Sequence, residues 1–188
     1  MHAPSIYQLK VRLQDSKPPI WRRLQVPGDI TLYGLHRVIQ TAMGGWDDSH
    51  LHGFDIGRVH YAGGPFGYDD QESWGPQSEQ AVLQHLGLDA GHTFRYTYDY
   101  GDSWVHIIKV EGILPAQAGV DYPRCLAGRR AGPPEDCGGI WGYYDLLEAL
   151  NDPSHERHDE MLEWLGDPWD PAWFSVDEVN ARLRRILK

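Results

Sequence analysis

An α+β fold is predicted by three features of the sequence. Period-two strand patterns cluster in the first 110 residues, helical patterns cluster after residue 142, and the one clear hairpin joins adjacent strands. That segregation points to a compact, mainly antiparallel sheet packed with helices rather than a doubly wound parallel sheet. Tyr7, Leu9, Val11 and Leu13 alternate with Gln8, Lys10 and Arg12, which marks a half-buried strand. Ile20, Leu24 and Val26 mark a second strand after Pro18-Pro19, and the short link makes the pair antiparallel. Leu32, Leu35, Ile39 and Met43 share a helical face, with Asp29 or Thr31 as N-cap and Gly44-Gly45 as the stop. Leu51–Ile56 is a third strand, 57–77 a loop or wide hairpin, and Val82, Leu83 and Leu86 a short helix. Phe94–Tyr98 and Val105–Val110 flank Asp99-Tyr100-Gly101-Asp102, whose residues favour a tight turn, so these strands form a hairpin. Residues 112–142 carry no sustained period and read as a long ordered loop. Helices follow at about 143–150, 155–165 and 176–187, the last opened by the capping box Ser175-x-x-Glu178.

The chain has 188 residues, enough to bury one core without disulfides, so a single domain is expected, with about 166–188 as a C-terminal helical extension. Gly and Pro are numerous, 21 and 13, and dispersed, which fits a loop-rich globular fold. Eight Trp and ten Tyr supply the large side chains that hold such loops. Trp46, Trp104, Trp141, Trp169 and Trp173 stand beside Gly, Asp or Pro, and most are expected to be buried plugs. The N-terminus lacks a basic region followed by an apolar run, and no apolar stretch is long enough to span a bilayer, so a cytoplasmic location is expected.

The net charge of −10 argues against a general nucleic-acid binder, which needs a basic footprint. The charge is uneven, however. Residues 1–37 carry six Lys or Arg against two acids. Arg12, Arg22 and Arg23 are therefore a candidate face for an anionic partner, or else the solvated side of two strands.

Tyr98-Asp99-Tyr100-Gly101-Asp102-Ser103-Trp104-Val105-His106 resembles the hallmark of the plasmid pRiA4b open-reading-frame-three-like family. Tyr122-Pro123-Arg124-Cys125 and Pro133-Pro134-Glu135-Asp136-Cys137-Gly138-Gly139 fit the same pattern. So do Ile20-Trp21-Arg22-Arg23, Thr31-Leu32 with Leu35-His36, Trp46, His50-Leu51 and His52-Gly53-Phe54. The resemblance spans roughly residues 5–165. It implies a compact α+β domain and a link to plasmids or mobile elements, and it brings no reaction, cofactor or catalytic residue with it.

Two constellations could carry chemistry. Asp99 and Asp102 flank the hairpin turn and His106 follows on the strand; two carboxylates and an imidazole can hold a divalent cation. The plainer role of the two acids is to bond the turn's own amides. Cys125 and Cys137, supplemented by His50 or His52, are a second metal-ligand set, and the plainer account is two unlinked buried thiols beside turn-forming acids. Asp99, Asp102, Trp104, His106, Glu135 and Asp136 together outline a ligand pocket between the hairpin turn and the 123–139 loop.

No P-loop, nucleophile elbow or dinucleotide fingerprint is present. The leading functional expectation is therefore a non-enzymatic binding or accessory domain for a protein or small ligand, recognisable by an apolar patch without convergent titratable groups. The alternative is a metal-dependent hydrolase or nuclease, with Asp99, Asp102, His106 and His52 on the ion and Glu135 or Asp136 as base. A third is nucleic-acid association through the basic N-terminal strands.

Overall fold

The computed structural model describes residues 4–64, 78 and 80–186. Seven strands form one antiparallel sheet: β1 (Ser5–Leu13), β2 (Trp21–Pro27), β3 (His52–Ile56), β4 (Val59–Gly63), β5 (Thr93–Tyr98), β6 (Trp104–Pro115) and β7 (Arg124–Arg129). Their spatial order is β4-β3-β5-β6-β1-β2-β7. Four helices pack with it: α1 (Leu32–Met43), α2 (Gly139–Asn151), α3 (His158–Leu165) and α4 (Val176–Ile186). The α+β expectation is met.

The alternation read in β1 is the alternation of burial. Tyr7, Leu9, Val11 and Leu13 are buried, with Leu9 opposite Leu24 on one side and Val110 on the other. Thr31 caps α1 by accepting the Gly34 N–H, and the apolar face of α1 (Leu32, Leu35, Ile39, Met43) enters the same core. Val179 and Leu183 of α4 sit in that core too.

Two differences from the sequence reading have plain causes. The 112–142 segment is not one loop, because β6 runs on to Pro115 and β7 lies within it. β7 escapes a periodicity search because it is an edge strand in which only Cys125 is buried. Its Gly128 leaves the space filled by the Phe174 ring. Helix α2 starts at Gly139, not 143, and Gly139 lies where the Asp102 carbonyl passes too close to admit a side chain. The residues at 82–86 form a single 3₁₀ turn, Leu83–His85. Within 57–77, β4 makes a hairpin with β3; residues 65–77 lie outside the described residues.

Register places a polar–aromatic layer on the core face at one end of the sheet. His52, Tyr98 and Trp104 form one cross-strand row; Phe54, Tyr96, His106 and Leu13 form the next. All seven are buried, and His36 and Gln40 of α1 complete the layer.

Candidate functional site

Three loops meet at the end of the sheet where the row His52–Tyr98–Trp104 lies: 44–51, 99–103 and 130–138. Trp46 is their common floor. It stacks on Tyr98 and Trp104 with ring centroids 5.2 and 5.7 Å apart, and its Nε1 donates to the Pro133 carbonyl at 2.9 Å. Asp48, Asp99, Ser103 and Asp136 all adopt positive φ, between 53° and 63°, a conformation Asp tolerates better than most residues. From these settings Asp99 and Asp136 turn to His50, and Asp48 turns to His36.

His50 is the hub of the open part of the site. Its Nε2 lies 3.0 Å from Asp136 Oδ1 and its Nδ1 lies 3.8 Å from Asp99 Oδ2. One ligand atom from each of the three residues falls within 4.8 Å of the other two. His50 is partly exposed and Asp136 is 68% exposed, so the cluster faces solvent. Beside it, Glu135 accepts the Tyr98 hydroxyl at 2.5 Å on one oxygen and the Asp47 N–H at 2.7 Å on the other. Burial raises the Glu135 carboxyl above its usual range, against the opposing effect of the Tyr98 hydrogen bond. Burial and the same carboxylate raise the Tyr98 phenol.

A second cluster lies beneath, formed by His36, Asp48 and His52. Gln40 Nε2 donates to the Tyr96 oxygen at 2.7 Å, so the Tyr96 hydrogen points to His36 Nδ1, also at 2.7 Å. His36 Nε2 then donates to Asp48 Oδ1 at 2.5 Å. The His36 and His52 rings stack at 3.7 Å and 8°. Their in-plane lone pairs therefore run parallel, and one cation cannot meet both without a ring turning. His52 is held neutral, its imidazole pushed down to about 2, by burial first and then by His36. Its Nε2 bonds Ser78 Oγ at 3.0 Å and its Nδ1 has no partner among the described residues. This inner cluster serves to anchor Asp48 and His52, the residues that bracket His50.

The structure divides the residues singled out in the sequence. His50, Asp99, Glu135 and Asp136 converge. Asp102 stands at the same loops, but its Oδ2 accepts the Gly138 N–H at 3.1 Å and it joins neither cluster. Trp104 is fully buried as a plug. His106 does not reach either acid. It is buried, its Nδ1 bonds the Trp104 carbonyl at 3.0 Å, its Nε2 has no partner among the described residues, and burial pushes its imidazole down to about 3. His52 belongs to the inner cluster.

Neither thiol joins a ligand group among the described residues. Cys125 is buried in β7, where its N–H bonds Asn180, and Cys137 is half-buried with its thiol pushed up to about 12, chiefly by burial. Of the five Trp, most of them expected as plugs, Trp141 and Trp173 are the exposed ones, 79% and 57%. The basic face loses its central member. Arg22 is 2% exposed and spends its guanidinium on the carbonyls of Trp21, Ala42, Met43 and Arg129. Arg23 is held by both oxygens of Glu111, which leaves Arg12 the exposed member.

His36, Asp47, Asp48 and Tyr98 were missed as site residues. The run Asp47-Asp48-Ser49-His50 just before a strand is the signal that would have drawn attention to the first loop.

These features define a class: an α+β domain with a single antiparallel sheet, closed at one end by three loops that gather carboxylates around an imidazole. The chain belongs to the plasmid pRiA4b ORF-3-like protein family, whose model matches residues 5–178. It is 42% identical over 184 residues to the uncharacterized protein y4hQ of Sinorhizobium fredii (strain NBRC 101917 / NGR234), covering 95% of this chain and 91% of that one. It also resembles the crystal structure of the protein of unknown function MM3350 from Methanosarcina mazei Go1. That match has a TM-score of 0.80 at 38% identity, over 94% of this chain and 98% of the other.

Proposed function

We propose that the chain is a divalent-cation-dependent hydrolase whose ion is held by His50, Asp99 and Asp136. The observation that carries this reading is the approach of three ligand atoms from three separate loops to within 4.8 Å on a solvent-facing surface. Titratable groups converge here, which is the pattern that favours a reaction centre over an apolar docking patch. One imidazole and two carboxylates suit zinc or manganese better than the all-oxygen shells of calcium. A cation with three protein ligands keeps positions open for water, and it lowers that water's pKa toward neutrality. Glu135 supports the proton step. Its raised carboxyl is a better base near neutral pH than an exposed one, and Tyr98 and Asp47 fix its direction.

The test uses untagged protein stripped with chelator. Calorimetric titration with zinc and manganese is expected to give saturable binding that His50→Ala abolishes. The loaded protein is expected to hydrolyse a generic ester or phosphodiester such as p-nitrophenyl acetate or bis-p-nitrophenyl phosphate. Failure of both ions to bind overturns the site, and binding without turnover of either substrate overturns the hydrolase reading.

A second reading, an accessory protein-binding domain, is favoured by Trp141. It projects 79% exposed from the first turn of α2, next to the loop that carries Asp136. Protein capture that Trp141→Ala abolishes, without loss of cation binding, would support it.

A further inference from the structure

A cavity of about 290 Å³ opens where the C-terminal end of α1, the loop after β7 and the 168–175 segment meet α4. None of the loop-site carboxylates lines it. Its walls are aromatic: Trp169, Trp173 and Phe174. Two guanidiniums, Arg22 and Arg182, border it, and no carboxylate among the described residues lies within salt-bridge distance of either. Arg22 is committed to backbone carbonyls and covers the Phe174 ring at 4.5 Å. Arg182 is not. Its Nε is buried at the atomic level and has no hydrogen-bond partner among the described residues. A buried charged donor without an acceptor is costly, and such a group at a cavity wall is suited to a ligand that supplies the acceptor.

We propose that this cavity binds a small organic monocarboxylate. Arg182 takes the carboxylate, whose two oxygens match the guanidinium fork, and the aromatic walls take an apolar body. The charge of the lining sets the class. Asp170 and Glu178 border the same cavity. The four charged side chains sum to zero, so a monoanion meets less repulsion than a phosphate dianion. Glu178 and Asp170 are already engaged, by Trp173 Nε1 at 3.4 Å and by the Ala172 N–H at 2.8 Å, which leaves Arg182 the charged group free to recognise an anion.

Phenylacetate, 2-phenylethanol and inorganic phosphate are the probes, titrated by calorimetry into the full chain. Phenylacetate is expected to bind saturably with Kd near or below about 1 mM, and the uncharged alcohol and phosphate at least roughly tenfold more weakly. Arg182→Gln is expected to weaken phenylacetate roughly tenfold or more, and Arg182→Lys to recover part of the loss. The proposal is overturned by no saturation up to ~10 mM, by equal binding of acid and alcohol, by tighter binding of phosphate, or by undiminished binding in a folded Arg182→Gln variant. The three-probe comparison on the unmutated chain decides the matter even if that variant does not fold.

Discussion

Replacing Arg22 by Met tests whether the basic N-terminal strands present a face or a strut. The guanidinium makes four hydrogen bonds of 2.6–3.1 Å to carbonyls, and two of these, Ala42 and Met43, are at the C-terminal end of α1. Those helix-end carbonyls have no intrahelical donors, and a cation there also offsets the helix dipole. Charge-assisted bonds are worth roughly 1.5–3 kcal/mol each. Against them stands the desolvation of the guanidinium. Burial pulls its pKa down to about 10, a penalty of about 3 kcal/mol that Met does not suffer. The bonds to the Trp21 and Arg129 carbonyls are only part-buried, where water can replace the guanidinium, so the lower part of the range applies, and the expected loss is about 3–5 kcal/mol. Urea denaturation at pH 7 measures it, with Arg23→Met as the comparison. The Arg23–Glu111 pair is partly exposed, and its loss is expected to cost no more than about 1 kcal/mol. An Arg22→Met variant within about 1 kcal/mol of the parent would refute the strut argument.

Three further outcomes are expected. His52 and His106 are both held neutral in the fold, near 2 and near 3, so the stability they contribute is present above their unfolded value and lost as pH falls below about 6.5. From pH 7 to 5.5 the urea-derived free energy should drop by about 2–3 kcal/mol, and a drop confined to lower pH would contradict the burial assigned to both rings. Glu135→Gln should leave cation affinity within about threefold while lowering cation-dependent hydrolysis by roughly 10²–10⁴, as measured by titration and by turnover on the same samples. Gly132→Ala would set a methyl group onto the Met43 carbonyl oxygen, a backbone atom that cannot swing aside. A loss of about 1–3 kcal/mol in thermal or urea melts is expected.

The sequence disclosed the fold wherever burial followed a period. β1, β5 and the inner half of β6 alternate because one face packs on the core, and α1 repeats because one stripe does. β7 was illegible for the converse reason: an edge strand with one buried side chain has no period to show. The site was half legible. Asp99, Glu135 and Asp136 stand in turn-forming or Pro- and Gly-rich segments, where composition points to loops, and the structure gathers them. His106 misled because its spacing from Asp102 says nothing about which face of β6 it occupies, and that face is the core. Arg22 misled through its charge. It shares the parity of Ile20, Leu24 and Val26, so alternation along β2 turns it to the core face, and there it is buried with its guanidinium spent on carbonyls.

The way charge is disposed of at the loop site also says which oxygens remain for an ion. Asp47, Asp48, Asp99, Asp102, Glu135 and Asp136 crowd one end of the sheet, and among the described residues only imidazoles pair with any of them. Most of this charge is met locally by N–H groups: Ser49 on Asp47, Gly101 on Asp99, Gly138 on Asp102 and Asp47 on Glu135. Those bonds fold the loops, and they use one oxygen of each acid. The Oδ2 of Asp99 and the carboxylate of Asp136 are not spent in this way; both turn to His50. A cation on His50, Asp99 and Asp136 would therefore take oxygens the loops do not need, and would tie 44–51, 99–103 and 130–138 together from outside as Trp46 does from below. Removing it should loosen the three loops together while leaving β1, β2 and α4 as protected as before. Amide exchange with and without added zinc reads that difference directly: uniform protection changes across the sheet would contradict a cation at these three residues.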